Sequence, residues 1–477
     1  MDEHANTGLD QSQYEDIVKE KYSSKEMREL FSERNVILNW RRCWVALAVV
    51  ERDLGLKVIT KEMVQEMKDN MENIDLEAAR KKEQEVKHDV VAQIYAYGLV
   101  CPKAKGIIHL GATSQYVKCN TDMILNRQAL NIIRKKLLLL IKNFDGLIDK
   151  YKTAPTLGYT HYQPAQPLTI GRRFCVYAQD FLSDFEELDR LLNNLQFRGA
   201  KGATGTQDSF VELFDGDKRK VMKLDVQVSR MLGFEKIYPI TSQTYTRKQD
   251  IYIMNVMANI AATAKKFATD MRLMSNLNIL EEPFTEKQVG SSAMPYKRNP
   301  MRSERVCSLA RKVMSNLADF YNTYSEQWLE RTLDDSAIRR IDIPQNFMLV
   351  EYIIDSLTEI TSGLVVYPMI SKRLLDQELP FMATEKIIMA TVKKGADRQQ
   401  IHEILREHAF NLAKHIKMDG GDNNLIEMLA NDARIGLSRQ ELENILDVNK
   451  FLGMSVEQSE NFLKNYLRPV LRKNKVK

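Results

Sequence analysis

At 477 residues the chain exceeds the size at which one hydrophobic core usually stops growing, so two or three packed regions are expected. Hydrophobic residues make up 44% and charged residues 28%, with only 20 Gly, 12 Pro and no low-complexity tract, which excludes a disordered or fibrous chain. The net charge of +5 is small and its signs are interspersed; with no RNP, zinc or basic-helix motif present, no nucleic-acid partner is called for.

The opening MDEHANTGLD is acidic and polar, unlike a secretory signal or an Arg-rich transit peptide, so a cytoplasmic protein is expected. The most continuous apolar runs, at 44–50 and 137–141, fall far short of the roughly 20 residues that span a bilayer, so no membrane partner is expected. Cys43, Cys101, Cys119, Cys175 and Cys307 are odd in number and form no CxxC pair, and read as buried thiols rather than disulfides or a zinc site. In KHDVV, His88 stands beside Asp89, and the polar loop HLGATSQY follows at 109–116.

Three segments then carry apolar residues alternately three and four apart, which draws one seam down a helix. The first runs from Leu130 through Ile133, Leu137, Leu140, Phe144 and Leu147 to Tyr151. A second runs from Phe174 through Ala178, Phe181, Phe185, Leu188 and Leu192 to Leu195, and a third from Ile253 through Met257, Ile260, Ala264, Phe267 and Met271 to Met274. Arg247 to Leu280 contains neither Pro nor Gly and could form one helix of about 50 Å. Such helices pack nearly antiparallel, and apolar residues off each seam predict contacts on more than one side, hence a homo-oligomeric bundle core. Strand signals are sparse: VQVSRMLGF and KIYPIT read as a short strand or as loop. The fold class is therefore all-α, with an N-terminal helical region 1–112, a central long-helix bundle 113–364, and a C-terminal helical region 365–477 after the GLVVYPMI break.

Polar loops punctuate these helices. In TLGYTHYQPAQP, 156–167, His161 sits in a loop leading into the second seam; it reads either as a structural histidine or as an acid or base, since its ordinary pKa near 6.5 lets it give and take protons. The Gly199, Gly202, Gly205 spacing does not match a phosphate-binding GxxxxGKS loop. GSSAMPYKRNPMRSE, 290–304, is dense in Ser, Pro, Lys, Arg and Asn between two helical patterns. WLERTLDDSAIRR, 328–340, is expected within a helix, either as a solvated charged face or as several donors for a phosphate or carboxylate. His402, His408 and His415 are six and seven apart, not at the i, i+4 spacing of a helical metal site, so no metal is implied.

The stretch 290–304 fits GSSxMPxKxNPxxxE, the signature of the fumarase, aspartase and argininosuccinate lyase superfamily, with GATS around Thr113 and Ser114 and THYQPAQP around His161 as further agreeing blocks. Together with ERTLDDSAIRR and LPFMATE, the chain from about Tyr22 onward resembles the adenylosuccinate lyase family of purine biosynthesis; argininosuccinate lyase is the nearest rival, and a catalytically silent helical scaffold is the reading from another class. The resemblance implies a homotetramer with active sites shared between subunits, small nucleotide substrates, no cofactor, and elimination of fumarate from adenylosuccinate and from succinyl-aminoimidazole carboxamide ribotide. It implies Ser291 as general base and His161 as general acid, Lys297 and Asn299 holding the carboxylate whose charge grows, Glu304 orienting the lysine or a histidine, and His88 orienting substrate. Binding residues carried over are Lys21, Tyr22, Lys87, His88, Asp89, Thr113, Ser114, Gln243, Arg305, Arg331, Ser336 and Arg340. Lys21 and Lys87 stand where arginine is common in the family, keeping the charge but not the bidentate fork.

Overall fold

A computed structural model describes residues 14–476, and the MDEHANTGLD segment lies outside the described residues. The fold is all-α with two small two-stranded sheets. Its longest helix, Ser114–Tyr151, has 38 residues, about 57 Å at 1.5 Å per residue. The other seams lie on the helices Ile170–Asn194 and Lys248–Asn276. All three seams meet at Phe144, whose ring centroid lies 6.4 Å from Phe174, 5.7 Å from Phe181 and 5.3 Å from Phe267. Each of these four rings is fully buried, so aromatic packing joins the helices through the positions the periodicity selects.

Two compact units are resolved. Of the described residues, one comprises 14–137, 184–265 and 308–355; the other comprises 138–183, 266–307 and 356–476. All five cysteines are free and buried, as expected. In the second unit, a C-terminal cluster forms around Ile387, Leu405, Leu425, Leu429 and Leu442. No described helix is long and apolar enough to cross a membrane.

Four local expectations are corrected. The third seam helix ends at Asn276 rather than Leu280: Asn278 takes a left-handed φ of 55°, and Leu280–Glu281 then pairs with Val365–Val366 as a short antiparallel sheet. VQVSRM belongs to the helix Lys218–Met231, because its apolar Val221, Leu224 and Val228 recur at helical spacing and are buried; KIYPIT supplies only an isolated bridge, Ile237 to Phe197. The block WLERTLDDSAIRR does not lie within one helix. Leu329 adopts φ 47°, and the helix Asp335–Ser362 begins only after Thr332 and Asp334, residues whose side chains compete with helix for backbone groups.

The fourth correction concerns TLGYTHYQPAQP, which is a β-hairpin rather than a plain loop: Pro155–Thr160 pairs antiparallel with Gln163–Thr169. The hairpin's three prolines, Pro155, Pro164 and Pro167, are tolerated because a two-stranded ribbon has two edges. Gly158 marks the bulge between Leu157 and Tyr159, where a Cβ would fall 2.3 Å from the Gln166 carbonyl oxygen. His161 and Tyr162, with φ 52° and 58°, form the two-residue turn in the left-handed geometry that matches the twist of a hairpin.

Candidate active site

In the first unit, a cavity of about 470 Å³ opens beside the start of the Asp335–Ser362 helix. Asp89, Arg331, Ser336 and Arg340 line it together, so four of the expected binding residues from two distant chain segments meet in one place. Asp89 starts the helix Asp89–Val100 and is held by Lys118 Nζ at 2.8 Å and Arg340 Nη2 at 3.3 Å. Burial would raise the Asp89 pKa, but hydrogen bonding and charge from Lys118, with the Val90 amide and Arg340, bring it below the ordinary carboxylate value. The carboxylate is thus a fixed anion between two cations.

His88 caps the same helix, its Nδ1 accepting from the Val91 amide at 3.3 Å. A neutral ring in that arrangement carries its proton on Nε2, which faces Ser114 Oγ at 3.3 Å. The preceding Lys87 takes a left-handed φ of 53° between two helices, and this turn directs His88 toward the GATS loop. Thr113 Oγ1 is buried with no hydrogen-bond partner among the described residues. Gln243 is held through its backbone, its N–H donating to Glu330 at 3.2 Å and its carbonyl accepting from Arg198 Nε at 2.9 Å. Lys21 ends the helix Ile17–Lys21 and Tyr22 meets Tyr352 edge-on at 5.2 Å; neither lines the cavity.

The expected chemical residues lie in the second unit. Stretch 285–300 is irregular, exposed over most of its length and closed on itself. Asn299 Nδ2 donates to the Gly290 carbonyl at 2.9 Å, and Gly290 approaches so closely that a Cβ would stand 2.1 Å from the Lys297 carbonyl oxygen. Ser291 Oγ accepts from the Met294 amide at 3.1 Å. Arg298 ties the loop to Glu281 at 2.9 Å. Buried Glu282 caps the following helix Met301–Ser325, accepting from the Arg302 and Ser303 amides at 3.1 and 2.7 Å, a carboxylate at the positive end of the helix dipole. Lys297 is exposed and pairs with no carboxylate among the described residues. Glu304, in the first turn of that helix, stands 4.0 Å from Arg272 rather than beside a lysine or histidine, and Arg305 follows it on the exposed side. His161 is exposed at the tip of the hairpin.

Residues 20–315 match the family described as Lyase, and residues 380–462 that described as Adenylosuccinate lyase C-terminus. The chain is 46% identical over 465 residues to adenylosuccinate lyase of Saccharomyces cerevisiae, covering 97% of this chain and 96% of the relative. The chain belongs to the adenylosuccinate lyase family. Similar relatives of that name come from Schizosaccharomyces pombe, 45% identical over 95% of both chains, and Schistosoma mansoni, 44% identical over 97% of both. Among solved structures, a 3-carboxy-cis,cis-muconate lactonizing enzyme from Pseudomonas putida shares the fold with a TM-score of 0.83 at 22% identity, covering 95% of this chain and 99% of that one. A fumarate lyase from Mesorhizobium sp. BNC1 does so with a TM-score of 0.79 at 21% identity, over 93% and 98%.

Sequence reasoning passed over three residues that line the cavity of this adenylosuccinate lyase family member: Lys118, Asp122 and Arg339. Lys118 and Asp122 follow Ser114 at successive intervals of four on one helix, a spacing that puts all three on the same face and could have flagged them. Arg339 has no such signal, because burial rather than pattern distinguishes it from its exposed neighbour Arg340.

Proposed function

We infer that the chain cleaves adenylosuccinate to AMP and fumarate, and succinyl-aminoimidazole carboxamide ribotide to aminoimidazole carboxamide ribotide and fumarate. Full-length similarity to adenylosuccinate lyases carries this reading. The cavity where Arg331, Ser336 and Arg340 converge at a helix N-terminus supports it, since such a place suits a nucleotide phosphate.

Abstraction of a proton from the carbon beside the succinyl carboxylate builds an extra negative charge, and Ser291 is the proposed base. The Met294 amide already donates to Ser291 Oγ, and a donor on that oxygen favours its deprotonated form. Lys297, exposed in the same loop, and the second amide hydrogen of Asn299 would hold the carboxylate on which charge grows. The C–N bond then breaks, its electron pair leaves with the nitrogen, and His161 protonates that nitrogen. His88, with Nε2 turned toward Ser114, orients substrate beside Asp89. The remaining binding roles fall to Lys21, Tyr22, Lys87, Thr113, Gln243 and Arg305.

Tetramerisation with active sites shared between subunits belongs to the same proposal. Tyr252, Tyr321 and Tyr324 on two long helices are 49%, 49% and 39% exposed, an aromatic surface suited to a further copy of the chain. The division into 1–112, 113–364 and 365–477 and a cytoplasmic setting complete the reading. Absorbance assays on purified protein test it: turnover of adenylosuccinate without turnover of argininosuccinate is expected, and the reverse pattern rejects it. A well-folded oligomer inactive on both would point to a silent scaffold.

A further inference from the structure

Arg331 lies in an irregular segment, so no helix holds its side chain in place. Its anchor is Asp335, whose Oδ1 accepts from Arg331 Nη1 at 2.5 Å. Asp335 is fully buried, and its other oxygen, Oδ2, is paired with Arg247 and lies 3.5 Å from Arg339 Nη1. Arg339 is in turn paired with Asp122, donates from Nε to Asp250 at 3.2 Å, and donates from Nη2 to the Tyr245 hydroxyl at 3.1 Å. That hydroxyl donates to Asp250 at 2.6 Å.

Charge decides what this cluster can do. Arg247, Arg331 and Arg339 balance Asp122, Asp250 and Asp335, so six charged groups sum to zero. A bare carboxylate at the first position of the Asp335–Ser362 helix would repel an anion arriving there and would occupy the positive end of the helix dipole. With Arg247 and Arg339 on its inner oxygen, Asp335 is neutralised from behind and free to act on Arg331 from the other. Among the described residues a single guanidinium nitrogen of Arg331 is engaged, which leaves the rest of the fork for a bidentate contact in the cavity.

We propose that Asp335 is a positioning residue that aims Arg331 at the substrate phosphate, and that Arg339 is the counter-charge behind it that lets a carboxylate do so without repelling that phosphate. This rests on the nucleotide-lyase reading above and extends it to residues that act through Arg331.

The test compares kcat/KM for adenylosuccinate and for its 5′-dephosphorylated nucleoside in wild type, Asp335→Asn and Arg339→Lys, using protein whose circular-dichroism spectrum is native. The wild type is expected to favour the nucleotide by at least 100-fold. Asp335→Asn should shrink that preference at least tenfold, mainly through KM for the nucleotide, and Arg339→Lys should shrink it by a smaller factor. Asp335→Glu keeps the charge but displaces it; it should recover part of the preference and decides the matter if Asp335→Asn does not fold. Equal losses on both substrates would mean a purely structural role and overturn the proposal. A wild type that turns over neither substrate removes the functional reading itself. One that turns over both equally leaves the reaction standing and removes the role of Arg331 on phosphate, and with it this inference.

Discussion

His109 shows how one residue's surroundings set a measurable property of the protein. Its Nδ1 accepts from Trp44 Nε1 at 2.8 Å, and burial, with the nearby His88, pulls its pKa down to about 4 from the ordinary 6.5. Between those values the unfolded chain takes up a proton that the folded chain refuses, so stability is full above pH 6.5 and lost as pH falls toward 4, by about 1.4 kcal/mol per unit. Urea midpoints at pH 7.5 and pH 5 should therefore differ in wild type and differ less in His109→Gln; identical slopes would contradict the assignment. Chemistry is expected to reside in one hydroxyl. Ser291→Ala should lower kcat by roughly 10² to 10⁴ while KM stays near wild type, as steady-state kinetics would read.

Elements matter here mostly where they stop. The signature loop is held closed by backbone approach at Gly290, a place where any side chain meets the Lys297 carbonyl rather than a movable group. Gly290→Ala should consequently misplace Ser291 and Lys297 and cut kcat/KM by about 100-fold, the cost of an error near 1 Å in a reacting group. Because most of the loop is exposed, the melting temperature should move by only a few degrees; a large drop would show that the loop supports the fold instead. The hairpin carrying His161, the proposed acid, is the other such element. Two consecutive non-glycine residues in left-handed geometry place the histidine at the tip of a twisted ribbon, and that conformation is costly for Tyr162 unless its surroundings hold it. The Tyr162 ring lies 5.8 Å from that of Tyr159, which provides part of that support.

On the scale of the whole molecule, the residues proposed for chemistry and most of those proposed for binding fall in different compact units: Ser291, Lys297, Asn299, Glu304 and His161 in one, together with the binding residue Arg305, and His88, Asp89, Ser114, Arg331 and Arg340 in the other. Sites assembled from several copies of the chain would make oligomerisation part of catalysis. Mixing inactive Ser291→Ala with inactive His161→Ala under conditions of subunit exchange should restore activity, because some sites in the hybrids would receive both intact residues. Verified exchange with no recovery would refute sharing of these two residues between subunits.

Helical periodicity by itself determined the three seam helices, because residues three and four apart must share a face, and Phe144, Phe174, Phe181 and Phe267 do pack together. The loop motif by itself pointed to the family, since its residue types and spacing are specific. Local chemistry was legible less far. Nothing in TLGYTHYQPAQP announced a hairpin, as its prolines argue against strand unless both edges are free, and no Gly or Pro in WLERTLDDSAIRR marked the irregular stretch that holds Arg331, where Thr332 and Asp334 are weaker signals. Only the tertiary structure decided that the Arg339 side chain is 10% exposed and that of Arg340 65%, and that Asp335 faces three guanidinium groups. The reason is physical: ion pairing among Asp122, Arg247, Asp250, Asp335 and Arg339 depends on distances between residues as much as 217 positions apart, and sequence spacing carries no such distance.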